Sequence, residues 1–205
     1  MIQDEDLLNK VVNSEQNHKQ FLDKILLEAI NFRFLSEGYT PNFSFQGWIH
    51  RPEGFLSKMS ERLEKNHETY SLFLQVNFDG RGNLFCSRAA ETLNIGNTET
   101  KWFFSDIVAG NTVKFLRFFG ELYEKTSYFG MVDIGVGLKG LENSIDFGMR
   151  NYFSNYRYFE NDDYYRTKRT SASTLKEDSK QIASDLVLPL ISAMTQGKYN
   201  PFINN

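Results

Sequence analysis

The sequence predicts an α+β fold in which helices cover a largely antiparallel sheet, preceded by an N-terminal helical segment. Some segments alternate apolar and polar residues as half-buried strands do, and others repeat apolar residues at helical spacing. Their order is α, β, α, β, β, β, α, β, β, α, which favours α+β. We divide the chain into a helical segment, residues 1–38, and an α+β domain, residues 39–205, and expect one structural unit.

The N-terminal segment is predicted to be helical from about Gln3 to Ser36, where apolar residues recur at helical spacing. Its middle, NSEQNH, is polar, and Ser14 could cap a second helix, so one long helix and two shorter ones both fit. Gly38 and Pro41 follow and are predicted to end the helix.

The next segments predict a strand and then a helix. Phe43, Phe45 and Trp48 alternate in NFSFQGW, as in a short strand. In EGFLSKMSERLEKN the apolar residues fit one face of a helix, and they are Phe55, Leu56, Met59 and Leu63.

The segment YSLFLQVNFDGRGNLFCSRAAE predicts a β-hairpin. Leu72, Leu74 and Val76 alternate with other residues before the turn DGRGN, and Leu84 and Cys86 follow it. We expect both strands to be half buried.

The second half of the chain predicts a strand in WFF and a helix that begins near Asn111 or Thr112. A buried strand with permissive glycines follows in MVDIGVG. The last predicted element is a helix that is interrupted or kinked at Pro189 and ended by Gly197.

Composition restricts the classes of protein. The formal net charge is −3 and the sequence pI about 5.7, so no global field draws the chain to nucleic acid or anionic membranes. Cys86 is the single cysteine, which rules out an internal disulfide. The N-terminus lacks a signal-peptide pattern and no apolar run has transmembrane length. We therefore expect a cytoplasmic protein that does not associate with membranes.

The sequence predicts no catalytic residue, no metal site and no cofactor, because it lacks the usual catalytic and metal-binding patterns. His18, His50 and His67 are isolated, and no GxSxG motif occurs. GVGLKG has the glycines of a phosphate loop, but a strand-like segment follows it where such a loop needs a helix, so a turn or bulge is favoured. Asp133, Asp146 and Glu160 could serve a divalent-metal-dependent enzyme only if they shared a pocket.

The most distinctive stretch is FSNYRYFENDDYYRTKRT, residues 153–170, in which aromatic and basic residues are interleaved around an acidic centre. It predicts a β-hairpin with ENDD at its tip. Because tyrosine and arginine are enriched at protein interfaces, we predict interface residues here, namely Tyr156, Tyr158, Tyr164 and Tyr165. The alternative is a nucleic-acid site in which aromatics stack on bases and cations contact phosphates, formed by Arg150, Arg157, Arg166, Lys168 and Arg169.

Four motifs resemble a known family in their layout: FQGW before the predicted helix, SLFLQVNFDGRGNLF, GMVDIGVGLKG and SDLVLPLISAM. From about Ser44 to Gly197 the chain is similar to the accessory region C-terminal to the AlbA-type (Schlafen-like) DNA-binding domain of some bacterial proteins. That resemblance implies a sensing or partner-binding role in a regulatory or defence setting, with no functional residue to carry over.

We therefore predict a non-catalytic sensing or partner-binding domain with a protein partner. A nucleic-acid-binding module is the alternative, and a divalent-metal-dependent enzyme is the second alternative. The apolar stripe of the N-terminal helix, with Phe21, Ile25 and Ile30, is expected either to pack on the domain or to pair with a second copy in a homodimer.

Overall fold

The computed structural model describes residues 7–8, 15–30, 47–62, 69–95, 98–149 and 158–203. Four α-helices and nine strands lie in these ranges. In chain order they are α1 Glu15–Ile30, β1 Trp48–Arg51, β2 Gly54–Arg62, β3 Thr69–Asn77, β4 Gly82–Cys86, β5 Ala90–Ile95, β6 Thr98–Phe103, α2 Ser105–Lys125, β7 Met131–Leu138, β8 Ile145–Asp146, β9 Tyr164–Ser171, α3 Ala172–Glu177 and α4 Ser179–Thr195.

The strands are divided among three sheets, and the predicted α+β class is confirmed. The first sheet is an antiparallel meander in the order β1–β2–β3–β4, the second has the order β5–β6–β8, and β7 and β9 form the third. Every described pair is antiparallel except β6 with β8, where Trp102 lies beside Ile145.

The predicted hairpin of residues 70–91 is confirmed as β3 and β4. Leu74 lies opposite Leu84, and Leu72, Leu74 and Val76 are fully buried. The turn is closed by Asp79, whose carboxylate accepts the backbone N–H of Arg81 at 3.0 Å.

The prediction of a helix around Phe55 and Met59 is wrong. This segment is strand β2, which lies between β1 and β3 in the sheet. Phe55 and Ser57 face the core, and Leu56 lies on the opposite, less buried face. Because Ser57 is polar but points inward and Leu56 is apolar but points outward, the sequence of β2 does not show the two-residue alternation that predicts a strand.

Helix α2 is the central helix, and it begins at Ser105 rather than near Asn111 or Thr112. The Thr112 hydroxyl donates 2.7 Å to the carbonyl of Val108, four residues earlier, so this residue lies inside the helix instead of capping it. The buried face of α2 includes Val113, Leu116 and Leu122.

The N-terminal helix packs on the domain. Ile25 of α1 is fully buried in the core that also contains residues of α2 and α4, and Phe21 packs against that core. Trp48 on β1 donates its indole N–H to Asp23 of α1 at 2.8 Å. The side chain of Ile30 and the predicted features at Ser14, Gly38, Pro41, Phe43, Phe45, Leu63 and His67 lie outside the described residues.

The prediction of a C-terminal helical segment is confirmed, but the segment is not interrupted at Pro189. The helix breaks at Asp178, between α3 and α4, whereas Pro189 lies inside the continuous helix α4. Gln196 and Gly197 then adopt φ values of +54° and +72°, which end the helix. Of the helices that the structure describes, none is sufficiently long and apolar to cross a membrane.

Candidate binding surface on the β7–β9 ribbon

Strand β9, which contains the most distinctive part of the sequence, pairs with β7 along eight residues, from Met131 opposite Ser171 to Leu138 opposite Tyr164. The prediction of a hairpin with ENDD at its tip is therefore wrong for the residues that the structure describes. Phe159 instead donates its backbone N–H to the carbonyl of Ser144 at 3.0 Å, and the carbonyl of Asp162 accepts the N–H of Leu141 at 2.9 Å. We call the β7–β9 pair the ribbon.

One face of the ribbon packs inward. Val132 and Ile134 are buried, and the Tyr164 hydroxyl donates to the carbonyl of Leu186 on α4 at 2.5 Å. Burial is the largest influence on the pKa of Tyr164 and raises it. Lys168, on the same side of β9, forms an ion pair with Asp185 of α4. This face fixes the ribbon to the helical layer.

The opposite face is exposed, and Tyr165 is its most exposed aromatic residue at 74%. A Cβ placed on Gly135 would lie 3.4 Å from the tyrosine hydroxyl, and one on Gly137 would lie 3.6 Å from the ring. The ring therefore lies across both glycines of β7. Because glycine has no side chain, the aromatic ring can lie over the backbone of the neighbouring strand.

The basic residues of β9 do not form one continuous strip. Arg169 lies on the exposed face, with its Nε 3.7 Å from the carboxylate of Asp133. Lys168 points to the other side, where its hydrogen bond to Asp185 is the largest influence lowering the pKa of that carboxyl. Arg166 lies beside this pair in a shallow groove between β9 and α4. Two of these three cations therefore already have a carboxylate partner.

The predicted interface tyrosines occupy different environments. Tyr165 lies on the exposed face of the ribbon, Tyr164 faces α4, and Tyr158 is 56% exposed in the loop before β9. Tyr156 and the predicted nucleic-acid residues Arg150 and Arg157 lie outside the described residues.

The carboxylates considered for a metal-dependent enzyme occupy different surroundings. Asp133 is exposed beside Arg169, Asp146 is fully buried, and Glu160 is exposed in a loop. Within the described ranges, no group of three or more His, Cys, Asp or Glu residues is arranged to hold a metal ion. GVGLKG continues from β7 into a turn and then β8, so it lacks the helix that a phosphate loop needs.

Asp146 is the polar residue with the most unusual surroundings, and no pattern in the sequence indicated them. Its Oδ1 accepts hydrogen bonds from the Ser105 hydroxyl at 3.0 Å and the Gly148 backbone N–H at 2.7 Å. Its Oδ2 is buried without a hydrogen-bond partner among the described residues. Burial raises the pKa of Asp146 to about 7, and the nearby carboxylate of Asp106, which accepts the Tyr199 hydroxyl, adds to this.

Lys114 on α2 is a second buried ionisable residue that the sequence analysis did not single out. It is 2% exposed, and burial lowers the pKa of its amine to about 8. It lies among the buried residues of α2, where an apolar side chain is usual.

Comparison with known proteins finds no matching family model, no matching curated protein and no matching solved structure. The resemblance to the region following AlbA-type domains, with the bacterial regulatory setting that it implies, therefore stays a prediction from the sequence.

Proposed function

We propose that this chain is a partner-binding domain and that its binding surface is the exposed face of the ribbon. The surface is formed by Met131, Asp133, Tyr165, Thr167 and Arg169. The observation that carries the proposal is the large exposed area of Tyr165 on a ring already held against Gly135 and Gly137.

A tyrosine in this position suits protein recognition. Binding usually costs free energy because exposed side chains lose rotamer freedom. The Tyr165 ring has two backbone neighbours in β7 and so loses less freedom than an unsupported side chain would. Tyrosine and arginine are also among the residue types that most often dominate binding at protein interfaces, and Arg169 lies on the same face, four residues along β9.

The charges favour a protein partner over nucleic acid. Asp133 accompanies Arg169 on the exposed face, and Asp185 accompanies Lys168 on the other. Binding to a phosphate backbone depends on cations that replace released counterions, so a neighbouring carboxylate reduces the gain. The formal net charge of −3 adds long-range repulsion of a polyanion.

Site-specific photocrosslinking in cells of the source organism tests the proposal. A benzoyl-phenylalanine at Thr167, which is exposed beside Tyr165, is expected to give protein adducts of one defined mass. The Tyr165→Ser change is expected to reduce their yield about tenfold, because it removes the most exposed aromatic side chain of the surface.

The matched control carries the same photocrosslinker at Ala193, an exposed position on α4, the helix that packs against the inward face of the ribbon. It is expected to give no adduct of that mass. Equal adducts from both positions, or an unchanged yield after Tyr165→Ser, would show that the exposed ribbon face is not the binding surface.

A further inference from the structure

The exposed face of the ribbon has its apolar groups at the two ends and opposite charges in the middle. Tyr165 lies at one end, beside Gly137. Met131, which is 50% exposed, lies at the other end, next to the loop that carries Phe129, 67% exposed. Asp133 and Arg169 lie directly opposite each other between the two ends.

This order makes the face complementary to itself. A two-fold axis parallel to the strands, in the plane of contact, would place β7 of one copy over β9 of the other. Asp133 would then face Arg169 of the second copy, and Arg169 would face Asp133 of the second copy. The two Tyr165 rings would meet at one end, and the exposed methionine side chains would lie near each other at the opposite end. Isologous dimers are built from surfaces of this kind.

We propose that the ribbon face binds a second copy of this chain through these reciprocal contacts. The inference rests on the proposed function, since it names the partner of the same surface. An acidic partner would be attracted by Arg169 but repelled by the neighbouring Asp133, and an apolar partner would bury both residues without new charged groups. A second copy supplies one opposite charge to each of them.

The size of the surface sets the strength of the association. Eight residues at about 3.3 Å each make the ribbon about 26 Å long, and its two strands span about 10 Å. That area is well below the roughly 800 Å² per partner of a standard stable interface. The dimer is therefore weak and reversible, with dissociation in the micromolar to millimolar range.

Sedimentation equilibrium of the full chain, with two charge-reversal variants, tests the inference. In a homodimer of the Asp133→Arg variant, the residues at positions 133 and 169 that face each other are both cationic. In a homodimer of the Arg169→Asp variant they are both anionic. Each variant alone is therefore expected to dimerise at least about tenfold more weakly than the original chain. An equimolar mixture of the two variants restores opposite-charge contacts in a heterodimer. We expect the mixture to associate at least as strongly as the original chain.

Both changes are at exposed positions, and circular dichroism checks that the variants remain folded. A mixture that stays monomeric at concentrations where the original chain dimerises would overturn the inference, and so would an original chain that stays monomeric at millimolar concentration. If the dimer is not found but the Thr167 photocrosslinker captures a protein of different mass, the proposed function stands without the dimer. If the photocrosslinker captures nothing, both the dimer and the proposed function are wrong.

Discussion

At the residue scale, the buried carboxyl of Asp146 makes folding depend on pH. Burial raises its pKa to about 7 in the folded chain, whereas an unfolded aspartate has the usual value near 3.8. Between these two values the folded state keeps a proton that the unfolded state releases. The contribution of Asp146 to the free energy of unfolding therefore falls as pH rises from about 4 to about 7 and is constant above that.

The Asp146→Asn change tests this contribution. Asparagine is neutral at every pH and its carbonyl oxygen can still accept from Ser105 and Gly148, so the variant avoids burying a charge. We expect it to match the original chain near pH 4 and to be more stable by a few kcal/mol at pH 8. Urea denaturation at several pH values gives the difference between the two proteins.

The difference in free energy of unfolding between the two proteins is compared, because other carboxyls change the stability of both proteins with pH in the opposite direction. Hydrogen bonds from lysines lower the pKa of Glu124 and Asp185, so their stabilising contributions are lost in acid in both proteins. A stability difference that does not change between pH 4 and pH 8 would refute the assignment of the titrating group to Asp146.

At the scale of the elements, helix α3 is fixed to α2 around a single residue. The amine of Lys176 lies 3.0 Å from Glu121 and 2.7 Å from Glu124, and its backbone carbonyl accepts from Arg117 at 3.2 Å. Gly120 makes this approach possible, because a Cβ there would lie 2.6 Å from the backbone nitrogen of Lys176. The lack of a side chain at one helical position thus sets the distance between two helices.

The Gly120→Ala change is therefore expected to destabilise the fold. In an exposed helix interior alanine is more stable than glycine by about 1 kcal/mol. Here the added carbon meets backbone atoms of α3, which move only with the whole helix, so we expect a net loss of about 1–3 kcal/mol in urea denaturation.

Gly140→Ala is the matched comparison. Its φ of +72° costs about 1 kcal/mol, but no described atom lies within 4 Å of the new carbon. An unchanged or increased stability of the Gly120 variant would mean that α3 can shift away from α2 without loss.

Whether an element could be predicted from the sequence depends on whether its pattern and its pairing partner lie close together in the chain. The β3–β4 hairpin was predictable because its alternation and its turn residues are neighbours in the sequence. The partner of β9 was not, because β7 lies far earlier in the chain and ENDD closes no hairpin with it. Strand β2 was not predicted because its pattern also fits a helix, and pairing with strands on both sides decides the outcome.

At the scale of the whole molecule, the charge distribution leads to a prediction about nucleic acid. Tyr165 and Arg169 could be selected from sequence as surface candidates, but the carboxylates beside Arg169 and Lys168 come from β7 and α4 and were visible only in the fold. The surroundings of Asp146 could not be predicted either, since a two-residue strand leaves no pattern.

We accordingly expect no salt-sensitive binding of single- or double-stranded oligonucleotides. Fluorescence anisotropy at low and physiological salt measures it, with the Arg166→Glu/Arg169→Glu double variant as the control. Binding that is strong at low salt, weakens with added salt and disappears in the double variant would favour the nucleic-acid alternative instead.

The pairing of β7 with β9 also affects when the proposed binding surface can form during synthesis. Strand β7 leaves the ribosome first, and the whole segment from Lys139 to Asp163 must follow before β9 can pair with it. Pairings between segments far apart in the sequence form late, since closing the loop between them costs chain entropy before any contact is gained. A nascent or truncated chain that ends before Tyr164 therefore lacks the β7–β9 pair, and we expect it to lack the proposed binding surface.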